Sequence, residues 1–502
     1  MAQLPVLPHG SPTTLSGLFE TFSFHSSPEA FITSRFLALQ ASNPDLAKAR
    51  TPIRAKVLNR NVCVISSYDQ VKQCLCDEAT ASKLSSSKAY DELMAPFFPS
   101  PNLLLAEPPG HWPMKEAWNS RMSALLETAK PVIRRIAIDH FQAIHSGSSI
   151  DLYESMKALS WKILLTIFMS SAGLDPPTEH DTNEIETLQE TLLRGQFSLF
   201  PVSISARIWQ SPRSKGLEAR KQLQSLFASR VKRGTESCPF ATSNTAEKNE
   251  VASHLLLFTS SLAVKALASL LTAVMMNLYL IEESSKGDDH ADGIPLSLAA
   301  RIMMERDDAK RSEVLRNIIL ETERMSPPVV GLMRRATQDI ILQPPTNHGA
   351  SSPTLIPKGW DVWLYFVGAA RDPAIFGETA ESFLPNRYMK ANGESKEGFA
   401  FGAGPKSCLG QNSMREIAMT VAKTCLGMES ARSGPEGRSL IITGDMNQIP
   451  KGVQGWLGWK GDVTPEEWAK DMKQLPSQRP LKPFKVTISR ETGARPKVET
   501  SK

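Results

Sequence analysis

The 502-residue chain is 41% hydrophobic, contains six cysteines and carries a formal net charge of +5, with its basic and acidic residues interspersed. So weak a charge predicts no nucleic-acid groove, and six cysteines in a chain of this length do not form a disulfide framework. The composition therefore favours a large globular core in a reducing compartment.

Residues 1–45 are rich in Pro, Ser and Phe, and we interpret them as a leader that packs on the rest of the chain, residues 46–502. The first residues include two prolines and lack an apolar run of roughly 18 residues, the length that a membrane span needs. A signal peptide and a transmembrane anchor are therefore not predicted. We expect a monomer that is cytoplasmic or peripherally associated with a membrane.

Helical periodicity follows in residues 68–80, 111–147, 152–171, 183–194 and 216–232, and again in residues 296–308 and 310–325. From residue 327 onwards the chain contains short strand-like runs, including Asp339 to Gln343 and Asp361 to Phe366. Many helices, a small β-sheet region and no clear linker predict a mainly α fold in a single large domain.

Between Val251 and Ile281 the chain is almost entirely apolar or small, and Lys265 lies near the middle of this stretch. By hydropathy alone the stretch is a transmembrane candidate. A lysine at mid-depth is costly in lipid, whereas a helix that is apolar all round also crosses the core of a large soluble protein. We therefore predict one long buried helix.

A glycine-rich loop with one cysteine lies near the C-terminal end and reads Phe401-Gly-Ala-Gly-Pro-Lys-Ser-Cys408-Leu-Gly410, followed by a helical pattern from Gln411 to Leu426. A cysteine just before a helix lies among unpaired backbone N–H groups and at the positive end of the helix dipole. Both features stabilise the thiolate, which is the form that binds a metal.

This loop resembles the haem-binding loop of the cytochrome P-450 superfamily, which reads Phe-x-x-Gly-x-x-x-Cys-x-Gly, and all four fixed positions match. The resemblance implies a heme b cofactor buried between helices, with its iron bound by the Cys408 thiolate. It also implies that Phe401 and Gly410 lie beside the cofactor, and that the protein is a haem-thiolate oxidoreductase.

Two segments upstream of the loop strengthen the resemblance. Glu321 and Arg324 lie three residues apart on a predicted helix, a spacing that alone indicates a surface ion pair. In order with the loop they resemble the superfamily's Glu-x-x-Arg helix, and Pro385-Asn-Arg387-Tyr388 resembles its Pro-x-Arg-aromatic segment. The resemblance implies a buried structural triad of Glu321, Arg324 and Arg387 next to the loop.

Haem carries two propionates, which require cations or hydrogen-bond donors. The candidates that we nominate, by resemblance to the superfamily's His-x-x-x-Arg element and to its propionate-contacting strand, are His111, Lys115 and Arg334, with Trp118 and Arg121 as competing candidates. Two positions before the cysteine the superfamily usually has Arg or His, whereas this chain has Lys406. Lysine keeps the charge but loses the planar fork of arginine, so the propionate geometry differs there.

The apolar helix departs from the superfamily pattern. Oxygen-activating members usually carry an acid followed by a threonine there, and this pair relays protons. The stretch Leu257-Phe-Thr-Ser260-Ser261-Leu-Ala-Val-Lys265 contains no acid and has Leu, Ala or Val at the threonine position. We nominate the Ser260 and Ser261 hydroxyls as the catalytic groups of this helix.

The resemblance implies a monooxygenase that receives electrons from an NADPH-dependent reductase and acts on a small lipophilic substrate, in secondary-metabolite biosynthesis of the fungal type. The missing acid–threonine pair leaves two alternatives open: a peroxide-type isomerase or dehydratase that needs no electron donor, and a haem-binding protein without turnover. We expect the substrate pocket to be lined by residues 85–106, the 255–266 helix face, Pro328–Leu332 and part of the tail.

Overall fold

The computed structural model describes residues 17–48, 50–57, 60–170, 178–198, 203–206, 209–231, 240, 242, 244–280, 282–283, 296–345, 353–389, 396–428, 439–444, 472–473, 477–480 and 482–490. Within these ranges most of the regular structure is helical and the strands form small sheets. The predicted fold class, mainly α with a small β-sheet region, is confirmed.

In chain order the helices are α1 (Gly17–Ser26), α2 (Pro28–Ser42), α3 (Pro44–Lys48), α4 (Tyr68–Cys76), α5 (Glu78–Ala81), α6 (Ser86–Ala89), α7 (His111–Ala143), α8 (Leu152–Ser170), α9 (Glu179–Gln196), α10 (Pro212–Arg230), α11 (Thr245–Phe258), α12 (Ser261–Tyr279), α13 (Leu298–Met304), α14 (Asp308–Met325), α15 (Phe366–Ala370), α16 (Pro373–Phe376) and α17 (Gln411–Cys425). Short 3₁₀ helices span Pro385–Tyr388 and Gly404–Lys406.

The strands are β1 (Ile53–Val57), β2 (Arg60–Ile65), β3 (Leu84–Ser85), β4 (Ser148–Asp151), β5 (Ser205–Ala206), β6 (Trp209–Gln210), β7 (Glu282–Glu283), β8 (Leu296–Ser297), β9 (Gly331–Ala336), β10 (Ile340–Leu342), β11 (Thr354–Ile356), β12 (Asp361–Tyr365), β13 (Leu440–Thr443), β14 (Met472–Lys473), β15 (Arg479–Pro480) and β16 (Lys485–Arg490). The strand-like runs predicted near residues 339–343 and 361–366 are confirmed as β10 and β12.

The largest sheet has the strand order β1-β2-β12-β9-β3, in which β2 and β12 are parallel and the other neighbours are antiparallel. All five residues of the central strand β12 are buried. Helices α1 and α2 contribute Phe24 and Phe31 to the cluster around Trp363 of this strand, and the Phe24 and Trp363 ring centroids lie 5.2 Å apart. The described part of the predicted leader is therefore helical and packs on the sheet.

The predicted helices are present with shifted ends, and two of them are divided. The pattern at residues 68–80 is interrupted at Asp77, whose side chain accepts the Thr80 N–H and so caps α5. The long apolar stretch is interrupted at Thr259 and Ser260. The Ser260 hydroxyl accepts the Ala263 N–H at 3.2 Å and caps α12, while the Thr259 hydroxyl donates to the Leu255 carbonyl at 2.8 Å and ends α11.

Among the described residues one helical stretch, Thr245–Tyr279, is long and apolar enough to cross a membrane, with a mean hydropathy of 1.7 in its most apolar window. Of that window 72% is buried inside the protein. A core helix passes the same length and hydropathy test, and α12 packs against α8, α9, α14 and α17. The burial therefore agrees with the predicted core position.

Candidate active site

The glycine-rich loop turns sharply before α17. The Cys408 N–H donates to the Phe401 carbonyl at 2.8 Å, and Gly402 and Gly404 have φ angles of +68° and +67°. A Cβ at Gly404 would lie 2.1 Å from the Leu75 carbonyl oxygen. Glycine is therefore required where the loop lies against the end of α4.

The Cys408 thiol is accessible although protein surrounds it. Cys408 is exposed by surface area, yet burial raises the pKa of its thiol because protein surrounds it. The backbone N–H groups of Gly410 and Gln411 and the charge of Lys115 act in the opposite direction and favour the thiolate. A metal bound at the sulfur would add to these groups, because a coordinated thiol is deprotonated.

Lys115 of α7 fastens the cysteine loop. Its Nζ donates to the Pro405 carbonyl at 2.7 Å, to the Ser407 carbonyl at 2.9 Å and to the Ser407 hydroxyl at 3.0 Å. The ammonium therefore binds the loop backbone directly, a contact that the motif comparison did not predict.

Lys406 forms an ion pair that joins the loop to the segment before α7. Its Nζ lies 2.8 Å from Glu107 Oε2. Glu107 also accepts the Ser87 N–H at 2.8 Å and the Ser85 hydroxyl at 3.0 Å. Burial raises the pKa of Glu107, but these donors and the Lys406 charge lower it more, so the carboxylate stays ionised.

His111 and Arg334 complete a basic group beside the loop. His111 is buried, its Nδ1 has no hydrogen-bond partner among the described residues, and burial with the charges of Lys406 and Lys115 lowers its pKa to about 4. Arg334 is also buried and has no ion pair in the described ranges, where its guanidinium donates to the Met333 carbonyl at 2.9 Å. An orphaned nitrogen and a guanidinium without a carboxylate fit an anionic ligand such as a haem propionate.

The competing candidates of α7 have other partners. Trp118 is fully buried, its indole N–H donates to Glu250 at 3.4 Å and its ring packs on His254 with centroids 4.4 Å apart. Arg121 lies 2.7 Å from Glu247 in an ion pair. Both side chains therefore connect α7 to α11, whereas His111 and Lys115 lie at the cysteine loop.

Apolar side chains from three parts of the chain are only partly buried although they pack against one core cluster. They come from the segment before α7, from α11 and α12, and from the cysteine loop with the start of α17: Leu103, Leu104, Leu105, Leu257, Phe258, Leu262, Ala263, Phe401, Leu409 and Met414. Such residues fit the walls of an apolar cleft. Two of the segments predicted to line the pocket, 85–106 and 255–266, contribute to this set, and most of the C-terminal tail lies outside the described residues.

The structure brings Glu321, Arg324 and Arg387 together. Both Glu321 oxygens accept from Arg324, at 2.7 and 2.8 Å, and both side chains are fully buried. Arg387 Nε lies 3.5 Å from Glu321 Oε1, and its other nitrogens donate to the Phe376 and Thr379 carbonyls. The arrangement ties α14 to the segment before the cysteine loop.

The nominated hydroxyls of the apolar helix, those of Ser260 and Ser261, have other partners. The Ser260 hydroxyl caps α12, and the Ser261 hydroxyl donates to Glu190 of α9 at 2.6 Å. Lys265 donates to the other Glu190 oxygen at 2.9 Å. The partly exposed positions of this part of α12 are instead Leu262, Ala263 and Ala266, so its incompletely buried face is apolar.

Several site residues carry no local sequence signal. Glu190 and Gln189 lie 71 and 67 residues from their partners Ser261 and Leu256, and Glu107 lies 299 residues from Lys406. Arg415 of α17 binds Glu323 at 2.6 Å and lies 5.7 Å from the centre of the Phe401 ring. Each of these pairs depends on which helices and loops pack together, so periodicity could not indicate them.

The chain is similar in sequence to the cytochrome P-450 family model and to several individual proteins. The family model for cytochrome P-450 matches residues 299–427, which hold the Glu321–Arg324 pair and the cysteine loop. Cytochrome P-450 85A1 of Brachypodium distachyon is 24% identical over 68% of this chain and 73% of its own length. Echinocystic acid 23-monooxygenase of Saponaria officinalis is 33% identical over 24% of this chain and 22% of its own length.

The fold is similar to a solved structure over nearly the whole chain. The retinoic acid-bound cyanobacterial CYP120A1 superposes with a TM-score of 0.68 over 97% of this chain and 100% of the other, at 17% sequence identity. At this identity the likeness concerns the fold and not the ligand.

Proposed function

The chain belongs to the cytochrome P-450 superfamily, and on that premise we propose that it is a haem-thiolate monooxygenase that inserts one oxygen atom from O₂ into a lipophilic small molecule. The observation that carries the proposal is the accessible Cys408 thiol just before α17, beside the basic side chains and the orphaned His111 nitrogen. A heme b with a thiolate ligand supplies the O–O bond cleavage that such a reaction needs.

The residues present fit the cofactor. Cys408 is the proposed iron ligand, and His111, Arg334 and Lys406 are the proposed propionate partners. Lys406 already forms an ion pair with Glu107 of the same chain, so we assign the main propionate contacts to His111 and Arg334. Phe401 precedes and Gly410 follows Cys408 in the loop, and we propose that both lie beside the cofactor.

Glu321, Arg324 and Arg387 hold the polypeptide around the ligand loop. Lys115 binds the loop carbonyls directly and places a positive charge near the thiolate, which favours the ligating form of the cysteine. These residues therefore position the ligand without taking part in the chemistry.

The apolar side chains near α11 and α12 support the proposal that the substrate is lipophilic. The incompletely buried positions at the start of α12 are apolar, and Leu103–Leu105 and Phe258 add further hydrophobic surface. Because the hydroxyls of Ser260 and Ser261 are bound to other groups, we propose that protons reach the reaction through water or through a hydroxyl of the substrate. Electrons come from an NADPH-dependent reductase, and the proposed context is secondary-metabolite biosynthesis.

The first test is spectroscopic. The reduced, CO-bound protein should absorb near about 450 nm, as a thiolate-ligated haem does, and Cys408→Ser should lose this band. Cys425→Ser is the matched control, because Cys425 is a buried thiol at the other end of α17 and should leave the band intact. A band that survives in Cys408→Ser would contradict the ligand assignment.

The second test concerns the reaction. Turnover of lipophilic substrates should require NADPH, reductase and O₂ together. Turnover of a fatty-acid hydroperoxide without reductase and NADPH would replace the proposal by the isomerase or dehydratase alternative, and no product under either condition would favour a haem-binding protein without turnover.

A further inference from the structure

The segment between α6 and α7 presents three consecutive leucines, Leu103–Leu105, that are partly exposed while packing on the main core. Its conformation depends on Asn102, which is 1% exposed. The Asn102 amide donates to the Phe98 and Pro99 carbonyls at 3.0 Å, and its oxygen accepts the Leu105 N–H at 3.1 Å. The segment is therefore internally ordered, but these bonds do not attach it to the helices.

His254 of α11 attaches the leucine part of the segment to a helix. The Leu103 N–H donates to His254 Nε2 at 3.1 Å, and His254 Nδ1 lies 2.9 Å from the Glu250 carbonyl of its own helix. A carbonyl only accepts, so Nδ1 carries the proton and Nε2 is the acceptor for Leu103. Both ring nitrogens are therefore used in one neutral tautomer.

The histidine ring is fixed in place. His254 is fully buried, and its ring centroid lies 4.4 Å from that of Trp118 and 5.7 Å from that of Phe258. Phe258 is itself only partly buried. His254 thus joins the leucine segment to α11 next to the Phe258 ring.

We propose that His254 is a positioning residue that fixes the leucine segment against α11 and thereby sets which bulky apolar molecules the cleft accepts. This inference rests on the proposed function, because it concerns the substrate side of the same cleft. Without the Nε2 acceptor the Leu103 N–H has no partner on α11, and a large ligand must then order the segment when it binds.

Two substitutions separate the hydrogen bond from the packing. His254→Phe keeps a ring against Trp118 and removes the acceptor, whereas His254→Gln supplies an oxygen near the position of Nε2. His140→Phe is the matched control, because His140 is a half-buried histidine that binds Ser155 at 2.9 Å near the other end of α7.

The probes are two azoles that bind haem iron through nitrogen and shift its absorbance band: imidazole, which is small, and clotrimazole, which fills an apolar cleft. In His254→Phe the clotrimazole dissociation constant should rise about tenfold with the imidazole constant unchanged, because one lost hydrogen bond is worth up to about a factor of ten. His254→Gln should restore most of the clotrimazole affinity, and His140→Phe should leave both constants unchanged.

Equal changes for both azoles in His254→Phe, or no change for either, would overturn the inference. Hydrogen exchange gives a second measurement that needs no substrate: the Leu103 amide should be protected in the unaltered protein and should exchange faster in His254→Phe. An unprotected Leu103 amide in the unaltered protein would also overturn it, even where the variant does not fold. Failure of the proposed function is distinct, because it would appear as a missing band near about 450 nm in the unaltered protein.

Discussion

The Arg324 guanidinium is fully buried, and all of its N–H groups find acceptors. Beyond its two bonds to Glu321, it donates to the carbonyls of Ala370, Ala380 and Ser382 at 2.7 to 2.9 Å. A buried charge is tolerated when it is paired and its donors are satisfied, and both conditions hold here. One side chain therefore connects α14 to the end of α15 and to the chain that follows α16.

Removing this side chain should be costly. Arg324→Ala removes the main partner of the buried Glu321 carboxylate and the donor to three carbonyls, so we expect a loss of about 3–5 kcal/mol in the free energy of unfolding, measured by chemical denaturation. Arg311→Ala is the control, because Arg311 has the same three-residue spacing to Asp308 on the same helix, where Asp308 is 81% exposed. That variant should lose less than about 1 kcal/mol, and equal losses would contradict a special role for the buried pair.

The burial of His254 also predicts a pH dependence of stability. Burial lowers the pKa of His254 to about 4, whereas the unfolded chain has a histidine pKa of about 6.5. The unfolded state therefore binds the proton first as the pH falls below about 6.5, and the folded state loses stability until about pH 4, where it is protonated too.

Between pH 7 and pH 5 this single group should cost about 2 kcal/mol of the free energy of unfolding. His254→Phe cannot bind the proton in either state, so its stability should fall correspondingly less over the same interval in denaturant titrations. An identical pH profile for the variant and the unaltered protein would show that His254 does not titrate in this way.

At the scale of elements, the cysteine loop is held from two sides. Lys115 of α7 binds its carbonyls, and the end of α4 lies against it at Gly404. The loop is therefore held by contacts within the polypeptide, because both helices belong to the same chain.

Gly404→Ala tests this docking. The substitution strains a φ of +67° and places a Cβ at 2.1 Å from the Leu75 oxygen, so the loop must move away from α4. Gly359→Ala is the control, with a φ of +88° and no atom within 4 Å of the added Cβ. Both variants should lose about 1–2 kcal/mol from backbone strain, but only Gly404→Ala should also lose haem retention, measured by haem transfer to an acceptor protein. Equal haem retention would contradict the docking.

At the break between α11 and α12, the neighbouring helix α9 supplies hydrogen-bond partners. The Gln189 amide of α9 donates to the Leu256 carbonyl at 3.1 Å and to the Thr259 hydroxyl at 3.2 Å. The next residue, Glu190, binds Ser261 and Lys265 on the far side of the break. Two adjacent residues of α9 thus satisfy polar groups on both sides of the interruption between α11 and α12.

At the scale of the whole molecule, the last described strand stabilises a helix from the first half of the chain. Strand β16 pairs with β4 and β13. At its end, Arg490 donates to the carbonyls of Phe141, Gln142 and Ile144 at 2.7 to 3.1 Å. These carbonyls lie at the C-terminus of α7, where a positive charge is favourable.

Arg490→Ala should therefore lower the free energy of unfolding by about 1–3 kcal/mol, because it leaves three helix-end carbonyls without this donor. Arg135→Ala is the control on the surface of the same helix, with a side chain that is 78% exposed. It should cost less than about 0.5 kcal/mol. Similar decreases in the free energy of unfolding for the two variants would show that water satisfies these carbonyls as well as Arg490 does.

The sequence by itself determined the mainly α fold, most of the helices, the cysteine loop and the family. Helices follow from periodicity, which is a local property, and the order of the Glu321–Arg324, Arg387 and Cys408 motifs is printed in the chain. The resemblance of those motifs to the superfamily's, and not their spacing alone, predicted that Glu321, Arg324 and Arg387 should meet. The roles of the nominated cofactor residues remain predictions that the experiments above test.

Only the tertiary structure decided which polar groups pair. It assigned Lys115 to the cysteine loop, Lys406 to Glu107 and Ser261 to Glu190, and it divided the apolar helix at Thr259 and Ser260. The partners are up to 299 residues apart in the sequence. A side chain takes the partner that packing brings within about 3 Å, and no local pattern encodes that distance.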